Sequence, residues 1–125
     1  MEKLGNYYNS DLNKHIGETL PKIMTSIDLD LLQVKQSRKI IRLAEYKHNN
    51  EKIGYQQNKA FEILGKIAKQ INTNSNLFDG WKMQVCLIRG DKPYNKIQVK
   101  DYILNKNYII NDKNKIDKFL CVDEV

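Results

Sequence analysis

Apolar residues recur along this 125-residue chain in two patterns, one typical of strands and one typical of a helix. Two short runs rich in Ile, Leu and Val, at residues 27–34 and 39–46, flank the polar segment 35–38, and we interpret them as paired strands. Residues 55–71 place apolar side chains at close to a 3.6-residue period, which predicts an amphipathic helix. The apolar stripe of this helix comprises Ala60, Phe61, Leu64, Ile67, Ala68 and Ile71.

The remaining segments predict a few more elements. Residues 7–20 and 112–120 have the spacing of short helices, and residues 81–89 and 96–104 have the apolar content of strands. The inward-facing residues of the last helix would be Ile116, Phe119 and Leu120. Because the chain has the size of one domain and no repeat or linker, we expect a single α/β domain over residues 1–125. Its architecture would be a central mixed β-sheet with flanking helices.

Composition excludes several classes of protein. No stretch approaches the roughly 20 apolar residues of a bilayer span, so we expect no membrane partner. Residues 1–8 lack the apolar core of a secretion signal, and no Cys or His lies at a spacing suited to zinc. We therefore expect a cytoplasmic protein whose two cysteines, Cys86 and Cys121, are reduced and at least partly buried. Cys86 lies inside an apolar strand, which favours core packing over nucleophilic catalysis.

The net charge of +6 is unevenly distributed. Residues 35–69 hold nine Lys or Arg against three Glu, whereas residues 1–34 hold three Lys against five acids. A basic segment of this kind attracts a phosphate backbone, although a solvated Lys-rich surface accounts for the composition equally well. The candidate phosphate contacts are Arg42, Lys52, Lys59 and Lys66.

Acidic residues interrupt both predicted strands. Asp28 and Asp30 lie in the first strand, and the second contains Glu45, followed two positions later by Lys47. A hairpin closed symmetrically about residues 36–37 sets Asp28 opposite Glu45 and gathers the acids and the lysine on one face. Carboxylates are costly in an apolar sheet unless they are paired or bind a cation. The pattern favours a divalent metal site, and the alternative is that the acids pair with basic neighbours or with solvent at a sheet edge.

Magnesium or manganese suits such a site. Both ions take oxygen ligands and keep bound waters, one of which can attack a phosphodiester. We expect Asp30 and Glu45 to bind the metal, with Asp28 competing for the Asp role and the carbonyl group of Tyr46 as a further ligand. Lys47 would orient the water and stabilise the charge that develops on the phosphate.

The order of these residues resembles the PD-(D/E)XK phosphodiesterase superfamily, which includes restriction endonucleases, Holliday-junction resolvases and small phage-encoded nucleases. The resemblance is carried by Ile27-Asp-Leu-Asp-Leu-Leu32 and by Leu43-Ala-Glu-Tyr-Lys-His48. It covers residues 26–70 and, more loosely, the strand at 82–89. Ile27 stands where the family name has Pro, which is a common variation.

This resemblance implies a restriction-endonuclease-like core and a nuclease that cleaves DNA with Mg²⁺ or Mn²⁺. Glu18 would supply the acid of an upstream helix, and Gln57 or Gln56 matches a Gln often found at the start of the next helix. That Gln would bind the nucleophilic water or a DNA phosphate, and the alternative is that it is merely solvated. A chain this small has little surface with which to read a base sequence, so we expect structure-directed cleavage or action as a homodimer. The alternative function is a catalytically inactive module of the same fold that binds nucleic acid or a protein partner.

Overall fold

The structure is a computed structural model that describes residues 29–123 together with residues 11, 14, 15 and 18. Between residues 29 and 123 it contains one five-stranded sheet and two α-helices. No helix in the described part of the chain is long and apolar enough to cross a membrane. The strands are β1 (Leu31–Lys35), β2 (Ile40–Lys47), β3 (Lys82–Arg89), β4 (Ile97–Asp101) and β5 (Lys106–Ile110), and the helices are α1 (Tyr55–Thr73) and α2 (Lys113–Leu120).

The strands lie side by side in the order β1-β2-β3-β4-β5. Strands β2 and β3 are parallel, because α1 carries the chain back across the sheet between them. The other three pairs are antiparallel. The predicted α/β class, with a mixed sheet and flanking helices, is therefore confirmed.

Helix α1 covers one face of the sheet, which we call the α1 face. Phe61 and Ala68 are fully buried there against Val85 and Leu87 of β3. The observed helix exceeds the predicted span of 55–71 by two residues at its end. Gly65 brings the helix close to the backbone of Tyr102, which follows β4.

Helix α2 packs on the opposite face, which we call the α2 face. The carboxylate of Asp112 caps its first turn by accepting the backbone N–H groups of Asn114 and Lys115. Ile116 and Phe119 are buried as predicted, and they pack in a cluster with Cys86, Ile88 and Val99, among others. Leu120 is half-buried against the same cluster.

Three sequence-based expectations need correction or fall outside the described residues. The strand predicted at 96–104 is present as β4 but ends at Asp101, because the chain reverses through a turn in which Asn105 is left-handed, and the following strand β5 was not predicted. Cys121 is exposed, so the prediction that both thiols are at least partly buried holds only for Cys86. Most of the helix predicted at 7–20 lies outside the described residues. The four residues of this segment that the structure describes, 11, 14, 15 and 18, are helical.

The register of the first hairpin also differs from the prediction. Leu31 pairs with Ala44 and Lys35 pairs with Ile40, so four residues form the turn instead of two. This turn is a short 3₁₀ helix, Gln36–Arg38, followed by Lys39 in the left-handed conformation. The two-residue difference preserves which side chains share a face, and continuing this register by one residue sets Asp30 opposite Glu45. Asp28 itself lies outside the described residues.

Candidate functional site

Glu45 and Lys47 lie on the α1 face near the end of β2. Glu45 is paired with Leu87 of β3, and paired residues of parallel strands share a face, so Glu45 points toward α1. Both side chains are almost completely enclosed, with 3% and 2% of their surface exposed. The Lys47 Nζ atom lies 3.7 Å from Glu45 Oε2. The predicted co-facial arrangement of these two residues is therefore present.

Asp30 brings a second carboxylate to Glu45. Continuing the β1–β2 register by one residue sets Asp30 against Glu45, and the Asp30 carboxyl is close enough to raise the pKa of Glu45. The backbone N–H of Tyr46 donates to Oδ2 of Asp30 at 3.1 Å, which fixes the aspartate at the end of the strand. The structure thus places Asp30 in the position that the sequence had predicted for Asp28.

Gln57 reaches the site from α1. The helix begins after Gly54, whose backbone is extended, and Gln57 is its third residue. Its side chain is 1% exposed and lies close enough to the Glu45 carboxyl to lower the pKa of that group, whereas Gln56 is exposed. Of the two glutamines that the sequence offered, Gln57 therefore belongs to the cluster.

The Glu45 carboxyl has a perturbed acidity. Burial is the main cause that raises its pKa to about 8, and the adjacent Asp30 raises it further through its hydrogen bond and charge. The Lys47 ammonium and the Gln57 hydrogen bond act in the opposite direction. With a pKa of about 8, the Glu45 carboxyl is mainly protonated at neutral pH when no cation is bound.

The donor atoms fit a hard divalent cation. The Oε1 atoms of Glu45 and Gln57 are buried and have no hydrogen-bond partner among the described residues. Carboxylate and amide oxygens are ligands of magnesium and manganese, and an unpaired buried oxygen is costly unless something binds it. No group of three or more Asp, Glu, His or Cys suited to a metal occurs within residues 29–123 or at the four described positions before them. A cation held by Asp30, Glu45 and Gln57 would therefore complete its coordination with water, as magnesium commonly does.

The three other predicted ligands, Glu18, Asp28 and the Tyr46 carbonyl, have different outcomes. Glu18 is exposed in a helical segment and does not form a third acid of the cluster. Asp28 lies outside the described residues. The Tyr46 side chain points away from Glu45, since neighbouring residues of a strand alternate faces, and its hydroxyl donates to the Gly90 carbonyl at 2.5 Å. The proposed Tyr46 carbonyl ligand stays a prediction.

Arg42 was predicted as a phosphate contact, and its burial contradicts this role. It lies three residues before Glu45 and therefore on the α2 face, where it is fully enclosed. Its guanidinium donates to Gln84 Oε1 at 2.8 Å and to the Phe119 carbonyl at 2.5 Å, and it stacks over the Phe119 ring at 4.1 Å. Burial lowers the pKa of this group from its usual value. Arg42 thus ties β2 to α2 within the core.

The three predicted lysine contacts remain on the surface. Lys52, Lys59 and Lys66 are all exposed. Lys59 lies 3.6 Å from Glu62 in an exposed ion pair within α1. Their positions are compatible with phosphate contacts, and those contacts stay predictions.

Sequence reasoning missed Arg89, the residue beside Lys47. The two are paired across the parallel strands β2 and β3, so both lie on the α1 face. The Arg89 guanidinium donates to the carbonyl of Glu51 in the loop before α1. The sequence does predict a β2-α1-β3 connection, which makes β2 and β3 neighbours. Which residue of β3 lies beside Lys47 depends on how α1 packs.

Comparisons with known proteins do not identify this site. The chain matches no protein-family model, no curated protein and no solved structure. The resemblance to PD-(D/E)XK enzymes therefore rests on the residues of this chain alone.

Proposed function

We propose that this protein is a small metal-dependent nuclease that hydrolyses phosphodiester bonds of DNA. The observation that supports this most directly is the cluster of half-buried Asp30 with buried Glu45, Lys47 and Gln57, in which two side-chain oxygens lack a partner among the described residues. Burying charged groups generally costs stability, and apolar side chains would pack the same space more favourably. A chemical role explains why the cluster lies here.

The proposed role of each residue follows from its charge. Asp30, Glu45 and Gln57 would hold a Mg²⁺ or Mn²⁺ ion, and Glu45 would release its proton as the ion binds. When bound, the ion supplies Lewis-acid activation of a phosphate oxygen and of the attacking water. Lys47, whose Nζ lies 3.7 Å from Glu45 Oε2, would act from within the cluster and balance the negative charge that develops in the transition state. The Lys47 ammonium acts strongly because its side chain is almost inaccessible to water.

The substrate class follows from charge and size. The net charge of +6 and the exposed lysines of α1 favour a polyanion over a small phosphoester. The small surface favours recognition of a DNA structure, by one copy or by a homodimer, over recognition of a long base sequence. The proposal includes the cytoplasmic location expected from the sequence.

Cleavage assays test this proposal. Linear duplex, single-stranded and four-way-branched DNA are incubated with Mn²⁺ and the wild-type protein, Glu45→Gln or Lys47→Met. Both substitutions keep the side-chain volume nearly unchanged. We expect each to lower the cleavage rate by about 100-fold or more, since each removes a group that acts on the transition state or on the metal.

The matched controls are Asp117→Asn and Lys113→Met, which alter an exposed ion pair of 3.6 Å on α2. They remove one carboxylate and one ammonium far from the cluster and should cleave like the wild type. A cleavage rate that is unchanged in Glu45→Gln and Lys47→Met would contradict the proposed site. DNA binding without cleavage of any substrate would instead favour the inactive binding module.

A further inference from the structure

A groove lies on the α1 face beside the cluster, where the sheet extends past α1 over β3, β4 and β5. It encloses a cavity of about 450 Å³. The strand registers show that its floor continues two rows of side chains that begin at the cluster. One row runs through Glu45, Leu87, Lys100 and Asn107, and the other through Lys47, Arg89, Gln98 and Ile109.

All the charged side chains that line this β3–β5 groove are positive. Arg89 and Lys100 line it, and no acidic residue of the described chain does. Lys100 lies near Asn58 of α1, with its Nζ 3.4 Å from Oδ1, so its ammonium is held beside the groove. Gln98 and Asn107 add exposed amide groups that can donate and accept hydrogen bonds.

Apolar side chains share the groove with these polar groups. Ile53 lies at one wall, and Ile109 is 57% exposed on the outer strand β5. A basic path combined with exposed apolar surface is how proteins hold single-stranded nucleic acid, with phosphates on the cations and bases against the apolar groups. The three strand spacings from β2 to β5 span about 14 Å, room for roughly four stacked nucleotides of one strand.

We propose that the β3–β5 groove holds a single DNA strand and leads it to the Glu45–Lys47 cluster. The inference rests on the proposed nuclease function, because it names the substrate strand of that same site. Phosphates would contact Arg89 and Lys100, and bases would lie against Ile53 and Ile109. A branched or frayed substrate would enter through its unpaired strand.

Fluorescence anisotropy with a labelled single-stranded 12-mer, in EDTA so that no cleavage occurs, tests the groove separately from catalysis. The double substitution Gln98→Glu with Asn107→Asp places two carboxylates on exposed groove positions. We expect it to weaken binding about tenfold through repulsion of the phosphates. The control Gln70→Glu with Asn76→Asp adds the same charge at exposed positions outside the groove and should leave binding nearly unchanged.

Salt dependence provides a second measurement that a folding defect does not imitate. Lys100→Met should reduce the slope of log Kd against log salt concentration by about 0.7, the value for losing one phosphate contact on a single strand. Its thermal melting is measured alongside, because Lys100 also contacts α1.

The outcomes separate the groove from the nuclease activity. If the groove variant and its control bind the 12-mer equally and cleavage still depends on Glu45, the proposed role of the groove in DNA binding is wrong. The proposed nuclease function is then unaffected. Weaker binding by the groove variant alone would support the groove even if no substrate is cleaved. The same anisotropy measurement is repeated with a duplex 12-mer and with an RNA 12-mer. An equal loss of duplex and single-strand binding, or a loss restricted to RNA, would overturn the assignment of a single DNA strand.

Discussion

Glu45 is an acid enclosed between β2 and α1, beside a second acid and a lysine. Its surroundings raise its pKa to about 8, chiefly because burial disfavours the carboxylate. Arg42, three residues earlier on the same strand, is equally enclosed, yet it is surrounded by hydrogen-bond acceptors and an aromatic ring. Nη2 of Arg42 and Oε1 of Glu45 both lack a hydrogen-bond partner among the described residues, so this strand buries an incompletely satisfied polar group on each of its faces.

The raised pKa of Glu45 predicts how the stability of the metal-free protein varies with pH. The pKa is 4.5 in the unfolded reference and about 8 in the fold, so the folded state binds the extra proton between these values. The free energy of unfolding attributable to Glu45 should therefore be largest below pH 4.5 and fall by a few kcal/mol as pH rises toward 8.

Urea denaturation in EDTA between pH 5 and 8.5 measures this effect. The difference in unfolding free energy between the wild type and Glu45→Gln isolates the Glu45 contribution, because the other titrating groups are common to both. A difference that is constant over this pH range would contradict the enclosed position of Glu45.

At the scale of elements, the β2-α1-β3 unit positions the cluster, and a close approach of α1 to the end of β4 sets how the helix lies. Gly65 permits that approach, because a Cβ atom there would lie 2.3 Å from the carbonyl oxygen of Tyr102. The Tyr102 hydroxyl also donates to Asn58 of α1 at 2.6 Å. The helix that carries Gln57 is thus fixed by contacts at several points along its length.

Gly65→Ala should destabilise the protein, although Ala is by itself the better helix former by about 1 kcal/mol. The methyl group would meet backbone that cannot move independently, so we expect a loss of about 1–3 kcal/mol in the free energy of unfolding. Thermal or urea denaturation measures it, with Gln70→Ala at an exposed position of the same helix as the control. A Gly65→Ala protein as stable as the wild type would show that α1 does not approach Tyr102 this closely.

At the scale of the whole molecule, the α1 face carries the candidate site, and the α2 face carries an apolar core that encloses Arg42. The cluster and the β3–β5 groove adjoin on the first face, whereas Cys86 lies in the second face, where burial raises the pKa of its thiol to about 11. This value keeps the thiol protonated at neutral pH and supports the interpretation of Cys86 as a packing residue.

Cation binding at the cluster should stabilise the entire fold. An ion at 100 times its dissociation constant adds about 2.7 kcal/mol by mass action. For a domain of this size that corresponds to a rise in Tm of roughly 10 °C. Thermal melting with and without Mn²⁺ or Mg²⁺ measures the shift in the wild type and in Asp30→Asn, which removes one ligand charge.

The shift should be lost or much reduced in Asp30→Asn. Asp117→Asn, which neutralises an exposed acid on α2, should keep it. An identical shift in all three proteins would mean that the ions bind elsewhere.

The local pattern of the sequence determined the elements that matter most for the site. The 3.6-residue period predicted α1 almost to its observed ends, and the apolar runs predicted β2 and β3. The alternation of a strand placed Glu45 and Lys47 on one face whatever the turn before them, because side chains two apart always share a face. That part of the candidate site could be predicted because it depends only on neighbours along the chain.

Only the tertiary structure decided the rest, since it depends on contacts between residues distant in sequence. The four-residue turn with its left-handed Lys39 set the register that brings Asp30, rather than Asp28, against Glu45. Packing of α2 buried Arg42, and the pairing of β3 with β4 and β5 formed the groove. No local periodicity specifies a strand register or the partner of a buried charge, because both are chosen by the geometry of the completed sheet.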